Sequence, residues 1–159
     1  FPDSLKTFTK RLGRPVYGGG GIMPDYFVPL DTLKYTKYHR ALAAKGCITQ
    51  ASLKYLDSNR AQLTKEYSDI YDFENRFEVD ETFLNILREQ SILDKVELEG
   101  GEEEYNKSLP EIKKQLKNLI ARDIWDMEQF IEIYNRSNDM FLKAYELVKE
   151  KKFEKLMQK

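Results

Sequence analysis

Four consecutive glycines near the N-terminus constrain the fold of this chain most, because they separate two pieces that look like β-strands. Glycine loses more backbone entropy on folding than any other residue, so such a run indicates a tight turn or a close backbone approach. Val16 and Tyr17 precede the glycines, and the triplet Tyr26, Phe27 and Val28 follows them. A continuous apolar triplet is typical of a strand that is buried on both faces.

The first thirty residues predict a β-arm. The run Lys6–Thr9 is rich in strand formers and is followed by Gly13. A few short strands do not form a stable sheet alone in water. We therefore expect the arm to pair with strands that this chain does not contain, or to pack on its own helices.

From residue 31 onward the apolar residues recur at helical spacing, and no proline occurs before Pro110. The predicted helix starts are Asp31 or Thr32, Thr49, Ser68 or Asp69, Asp80, Ser108, and Ser137 or Asn138. Gly100 and Gly101, with the glutamates after them, predict a loop over 98–107. The fold class is thus predicted to be mainly α, with a short β-strand and turn arm.

Composition argues against several functions. Twenty-six basic and 27 acidic residues give a net charge of -1, which argues against nucleic acid as a partner. No apolar run approaches the roughly 20 residues of a transmembrane helix. One cysteine, Cys47, and one histidine, His39, cannot form a zinc site. We interpret Cys47 as buried packing and His39 as a solvated helix residue, and we expect neither metal nor cofactor.

Known catalytic motifs are also missing. No serine is followed by lysine three residues later, and the nucleophile elbow Gly-x-Ser-x-Gly is absent. The glycine run is followed by Ile22, Met23 and Pro24 rather than by the Gly-Lys-Ser/Thr of a phosphate-binding loop.

The stretch GRPVYGGGGIMPDYFV, residues 13–28, resembles the end of the protease domain in carboxyl-terminal processing peptidases, also called tail-specific proteases. These are serine peptidases with a Ser/Lys active site. The matching residues are Gly13, Arg14, Val16, Gly18, Gly19, Gly20, Gly21, Ile22, Pro24, Asp25 and Val28. In the family this segment is structural, a late strand-turn-strand of the catalytic domain. The resemblance is strong over the first thirty residues and loose over the helical remainder.

The resemblance implies that residues 1–30 end an incomplete α/β protease domain and that residues 31–159 form a helical C-terminal domain. The family's serine and lysine lie upstream of the motif, so no catalytic residue can be assigned and this chain alone is expected to be inactive. The implied parent cleaves protein substrates near their C-termini in the bacterial periplasm or cell envelope. The tail would support the protease fold, dock a substrate or partner, or form a homo-oligomer.

Two other interpretations stay open. A helical adaptor could use its β-arm to pair with the sheet edge of a partner protein. An anion or nucleic-acid binder could use the glycine loop together with the basic and aromatic run 37–40. Phe1 is not an initiator methionine and begins no signal peptide, so we expect a processed product or a piece of a longer protein.

Overall fold

A computed structural model describes residues 3–19, 24, 26–29 and 34–152. These residues form two short strands and then seven α-helices, so the predicted mainly α fold with an N-terminal β-arm is confirmed.

The chain divides into two compact units. Residues 31–136 form one, here called the helical unit, and residues 1–30 with 137–159 form the other, here called the terminal unit. Compactness does not decide domain membership, so the predicted domains 1–30 and 31–159 stay a prediction.

The helical unit contains six of the helices. They are α1 (Lys37–Ala44), α2 (Cys47–Glu66), α3 (Ile70–Arg76), α4 (Glu81–Leu93), α5 (Gly101–Ile124) and α6 (Met127–Asn135). Asp69 and Asp80 cap α3 and α4 as predicted, and their carboxylates accept the first backbone N–H groups of each helix. Gly46 ends α1 with a φ of 74°. A left-handed glycine just after the last turn is a common helix stop.

Three helices of the unit, α1, α2 and α5, start elsewhere than predicted. Helix α1 begins after Thr36, whose hydroxyl accepts the N–H of His39 at 3.1 Å, and the candidate caps Asp31 and Thr32 lie outside the described residues. Helix α2 begins at Cys47 rather than at Thr49, because the left-handed Gly46 turns the chain directly from one helix into the next.

The loop predicted over 98–107 is wrong from Gly101 onward, where α5 already begins. Three glutamates lie in its first turn, where negative charge is favourable at the helix N-terminus. Glu104 accepts the backbone N–H of Gly100 at 3.0 Å, which ties the helix to its own start. Ser108, the predicted cap, is buried inside the helix, and Pro110 also lies within it.

The sequence analysis predicts no helix start between Ser108 and Ser137, yet the structure divides this stretch into two helices. Helix α5 ends at Ile124, and α6 begins after Asp126, whose carboxylate accepts the N–H of Gln129 at 2.9 Å. Aspartate favours the N-cap over the helix interior, so Asp126 starts a new helix, whereas the apolar spacing continues across the break and does not reveal it.

The core of the helical unit lies between α2, α4 and α5. Its largest fully buried side chains are Phe73, Phe83, Leu42, Ile48, Leu56, Ile70, Leu84, Ile112, Leu116 and Ile120. Phe83 stacks on Tyr55 with ring centroids 4.0 Å apart, and Phe73 stacks on Phe77 at 4.4 Å. Burying each such side chain contributes about 1.5–3 kcal/mol. These residues therefore form the apolar core of the helical unit.

The terminal unit contains β1 (Lys6–Phe8), β2 (Pro15–Tyr17) and α7 (Asp139–Lys149). The strands pair antiparallel with Thr7 opposite Val16, and every strand residue is exposed. Helix α7 begins after Asn138, one of its two predicted starts, and has no buried residue.

The strand predicted at Tyr26, Phe27 and Val28 is not present. Tyr26 and Phe27 are exposed and Val28 is half-buried, with no strand assigned to any of them. A strand buried on both faces needs neighbours, and the described residues supply only β1 and β2, which pair with each other.

Candidate functional site

The glycine motif surrounds a β-hairpin whose turn is fixed by three hydrogen bonds. The N–H of Thr9 donates to Arg14 O at 2.9 Å, the N–H of Arg14 donates to Thr9 Oγ1 at 3.0 Å, and the N–H of Gly13 donates to Thr9 O at 3.0 Å. Gly13 has a φ of 61°. This left-handed conformation suits glycine, because a Cβ would strain it.

Gly18 and Gly19, the described part of the glycine run, follow β2, and no further strand follows them among the residues that the structure describes. Gly18 extends the ladder by donating its N–H to Leu5 O at 2.9 Å, and Gly19 has a φ of 88°. Of the other motif residues, Pro24 is exposed and Val28 is half-buried. Gly20, Gly21, Ile22 and Asp25 lie outside the described residues. Gly13, Arg14, Val16, Gly18 and Gly19 are thus the motif residues brought together at the hairpin.

The outer edge of β1 is open for pairing. Hydrogen-bonded positions alternate along an antiparallel pair, so the backbone groups of Lys6 and Phe8 point away from β2. The one-turn 3-10 helix Asp3–Leu5 leads directly into Lys6, and no backbone bond outside helices and strands is made by Phe8 among the described residues. On β2 an equivalent outward position is Pro15, which has no N–H to donate. Of the two edges, β1 therefore suits a further strand better.

The hairpin also exposes apolar side chains. Leu5, Phe8, Val16 and Tyr17 are each more than one-third exposed, and Phe8 is 61% exposed. A lone two-stranded hairpin is at best marginally stable in water. An open strand edge with exposed apolar side chains is the arrangement that binds another strand or a sheet face.

A first polar cluster lies between α1 and α5 of the helical unit. His39 is only 3% exposed, so its interpretation as a solvated residue is wrong. Its Nε2 lies 2.8 Å from Gln115 Oε1, which accepts from the ring N–H, and Nδ1 is buried without a partner. Tyr35 packs edge-on against the ring at 5.0 Å. The packing of α1 on α5 buries this face, and the neighbouring charges of Lys37 and Arg40 concealed it in the sequence.

Ser108 lies in the same cluster but is not a nucleophile. Its hydroxyl donates to Glu104 O at 2.6 Å, and its Oγ lies 2.6 Å from the Oγ1 of Thr36. The carboxylate of Glu104 accepts the N–H of Tyr38 at 3.0 Å, and this bond and the one from Gly100 hold the pKa of Glu104 below its usual value. The serine, histidine and glutamate thus bond to other groups and form no catalytic triad.

A second cluster surrounds Cys47, which is fully buried as predicted. Its thiol donates to Asp94 Oδ2 at 3.3 Å, and Gln90 Nε2 donates to the same oxygen at 2.6 Å. Burial, followed by the hydrogen bond and charge of Asp94, raises the pKa of Cys47 to about 11. The thiolate is the reactive form, so this thiol is inert at neutral pH.

Lys117 on α5 is a half-buried lysine that no sequence motif marks as a candidate site residue. Its ammonium donates to Glu74 O and Phe77 O, both at 2.6 Å, and burial lowers its pKa. Those carbonyls lie at the end of α3 and have lost their helical partners. Lys117 therefore caps α3, and no serine hydroxyl bonds to it among the described residues.

Other sites are not found in the part of the chain that the structure describes. Within those residues no three His, Cys, Asp or Glu side chains are grouped to hold a metal ion. No helix among them has the length and apolar character to cross a membrane. The β-hairpin with its glycine motif is therefore the candidate functional site.

Comparison with known proteins places the chain in one family. It belongs to a family of unknown function, DUF8443, whose profile matches residues 38–126. The match begins in α1 and ends just before α6, so it lies within the helical unit. No curated protein and no solved structure matches the chain.

Proposed function

We propose that this chain is the C-terminal part of a serine-type carboxyl-terminal processing peptidase, with the hairpin as the end of its catalytic domain. The parent would cleave protein substrates near their C-termini with a serine and a lysine that lie upstream of Phe1. The chain alone would be inactive, and it would support the protease fold or dock a substrate or partner. The bacterial periplasm or cell envelope is the proposed location.

The single observation that carries the proposal is the hairpin with its open edge. The segment that resembles the end of the protease domain contains a β-pair, yet all six strand residues, three in each strand, are exposed. A β-pair taken from the edge of a larger sheet has this character, because the neighbours that would cover its side chains belong to other strands. The open edge of β1 supplies the backbone groups that such a neighbour would need.

The helical unit supports the inactivity of the chain alone. Ser108, Cys47 and Lys117 are residue types that act as nucleophile or base in peptidases. Each of them is instead engaged in the fold, at a backbone carbonyl, at a carboxylate or at a helix end. A peptidase built on this unit would thus need catalytic residues from elsewhere.

The test is to recover the native protein from its source cells with an antibody to this chain and to measure its intact mass. The proposal expects a mass several times the 18.8 kDa of the chain, with upstream peptides that contain a serine and a lysine flanked by glycines. The recovered protein should cleave peptides near a free C-terminus, and replacing that serine by alanine should abolish cleavage.

A larger native protein whose upstream peptides lack the serine and the glycine-flanked lysine would overturn the proposal. So would a peptidase activity of the 159-residue chain itself. An activity that survives replacement of the upstream serine would do the same.

A second function is favoured by the family match. The matching profile covers residues 38–126 and does not include the hairpin, as would suit a helical module that occurs apart from any protease domain. In that case the chain would be a non-enzymatic adaptor whose β-arm pairs with the sheet edge of a partner. A native protein without a peptidase serine, recovered in complex with a β-sheet protein, would support it.

A further inference from the structure

The hairpin of the terminal unit has a local excess of positive charge. Residues 4–19 contain Lys6, Lys10, Arg11 and Arg14 and no acidic residue, although the whole chain has a net charge of -1. Lys6, Lys10 and Arg11 are exposed. The positive charge is therefore concentrated on one small element and is not a property of the chain as a whole, so it indicates an anionic partner for that element.

The turn of the hairpin holds two of these charges next to an exposed apolar side chain. We call residues 10–12, with the sequence Lys-Arg-Leu, the hairpin apex. All three are exposed, and Leu12 is 52% exposed. The three hydrogen bonds that fix the turn join Thr9 to Gly13 and Arg14, so the side chains of the apex take no part in them. The turn thus presents basic and apolar groups together to the surroundings.

We propose that the hairpin apex binds the surface of a membrane that contains anionic lipids. Lys10 and Arg11 lie at the lipid phosphates, and Leu12 enters the boundary between the headgroups and the acyl chains. On β1 the ammonium of Lys6 lies 5.9 Å from the ring centroid of Phe8, which is 61% exposed, and this pair adds a second basic and apolar contact. Basic clusters favour an anionic bilayer surface, and apolar side chains next to them strengthen the binding.

The membrane contact goes beyond the proposed function and does not rest on it. The apex consists of residues that the structure describes, and it lies at the end of the hairpin. A further strand that pairs along the edge of β1 would cover backbone groups of the strand and leave the turn exposed. The hairpin can therefore bind a membrane whether or not a larger sheet continues from β1.

The size and composition of the apex favour a lipid surface over other anionic partners. A stable protein interface buries about 800 Å² on each partner, far more than a three-residue turn offers. Near a lipid surface each basic residue contributes separately, so the attraction requires no minimum contact area. Residues 9–14 contain no aromatic side chain on which a nucleic-acid base could stack. An exposed leucine between basic residues instead suits the boundary between headgroups and acyl chains.

Sedimentation with lipid vesicles tests the proposal. The 159-residue chain is mixed with vesicles of phosphatidylcholine and phosphatidylglycerol in equal parts and, separately, with vesicles of phosphatidylcholine alone. Lys10→Gln combined with Arg11→Gln removes both charges of the apex. Lys65→Gln combined with Lys107→Gln is the matched control, because it removes two exposed charges of the helical unit and changes the net charge equally. Circular dichroism confirms that both variants keep their helices.

We expect the chain to bind the anionic vesicles and not the neutral ones, and the binding to weaken as the salt concentration rises. The apex variant should lower the partition coefficient by roughly thirtyfold, because each basic residue near the surface adds to the attraction. The control variant should change it by less than about twofold, because the attraction falls off within a Debye length. No binding to the anionic vesicles, or equal losses in the two variants, would overturn the proposal.

A fluorescent label tests whether the turn itself enters the membrane surface. Leu12→Cys carries an environment-sensitive nitrobenzoxadiazole dye, and Lys107→Cys carries the same dye as the control. The native Cys47 contributes little, because it is buried and its pKa is raised to about 11. With anionic vesicles the emission of the dye at position 12 should shift to the blue, and the emission at position 107 should not change. Bound protein without a shift at position 12 would contradict the proposal.

Two further outcomes would assign the apex to another partner and overturn the proposal. The first is binding to polyglutamate that requires Lys10 and Arg11, without binding to vesicles, which means an acidic protein. The second is binding to an oligonucleotide with the same requirement, which means a nucleic acid.

Discussion

Phe83 and Phe27 have the same side chain but differ in how far it is exposed to solvent. Phe83 in the helical unit is fully buried, whereas Phe27 in the terminal unit is 75% exposed. The buried core of the helical unit is made of its own residues. The terminal unit contains a pair of short strands and one helix, and none of the residues in these three elements is buried. On the proposed function, the terminal unit is a part of a larger structure, whereas the helical unit has a core of its own.

Replacing each phenylalanine by alanine tests this contrast most strongly. Phe83→Ala removes a ring stacked on Tyr55 and leaves a cavity, so we expect a loss of about 3–5 kcal/mol in the free energy of unfolding. Phe27→Ala is the matched control and should change it by less than about 0.5 kcal/mol. Urea unfolding followed by circular dichroism measures both. Comparable losses for the two variants would end the distinction between the units.

Thiol reactivity reports whether the helical unit is closed. The pKa of Cys47 rises from 9.0 to about 11 on folding, so the proton stays on sulfur in the folded state as the pH rises through the unfolded value. At pH 8 the thiolate fraction should be about a hundredfold lower in the folded than in the unfolded chain. Labelling with Ellman's reagent in buffer and in guanidinium chloride measures the ratio. Equal rates in both would show an open thiol site.

The raised pKa of Cys47 also makes the free energy of unfolding depend on pH. Between pH 9 and about 11 the unfolded chain loses the thiol proton while the folded chain keeps it. Ionisation then favours the unfolded chain, so this contribution to stability falls as the pH rises through that window. Cys47→Ala should weaken the pH dependence there.

Lys117 tests whether the helical unit depends on its buried polar contacts as well as on its apolar core. Lys117→Met keeps most of the side-chain volume but leaves Glu74 O and Phe77 O without their donor. We expect a loss of about 1–3 kcal/mol, the cost of leaving buried groups unpaired. Lys107→Met, at an exposed position on the same helix, is the control. A loss for Lys107→Met as large as for Lys117→Met would remove the capping role.

Helix caps give the smallest contrast between the units. Asp80→Ala removes the acceptor for the N–H of Phe83 and should lower global stability by about 1 kcal/mol. Asn138→Ala removes the cap of α7 in the terminal unit. Because α7 buries no residue, we expect some loss of helical signal and no shift of the unfolding midpoint. A shift as large as for Asp80→Ala would mean that α7 contributes to the cooperative core.

The helices of the core were predictable because their signals are local. Asp69, Asp80 and Gly46 each mark a helix end by their own backbone chemistry, and the structure places helix ends at all three. The start of α5 was not predictable in this way. Gly100 and Gly101 favour a break, and what overrides them is the bonding of Glu104 to Gly100 and Tyr38, the latter a long-range contact.

The candidate site was predictable in part, for a physical reason. Gly13 and Gly19 take left-handed conformations that glycine tolerates best, so the sequence marks these turns directly. The triplet that ends at Val28 has the composition of a buried strand, but burial requires neighbouring strands that the described chain lacks.

Amide hydrogen exchange of the 159-residue chain, read by mass spectrometry, tests the central claim that only the helical unit is complete. We expect strong protection in α2, α4 and α5, whose amides open only with the core, and little protection in β1, β2 and α7. Protection of the hairpin and α7 equal to that of α2 would contradict the account, because the terminal unit would then be stable without any further strands.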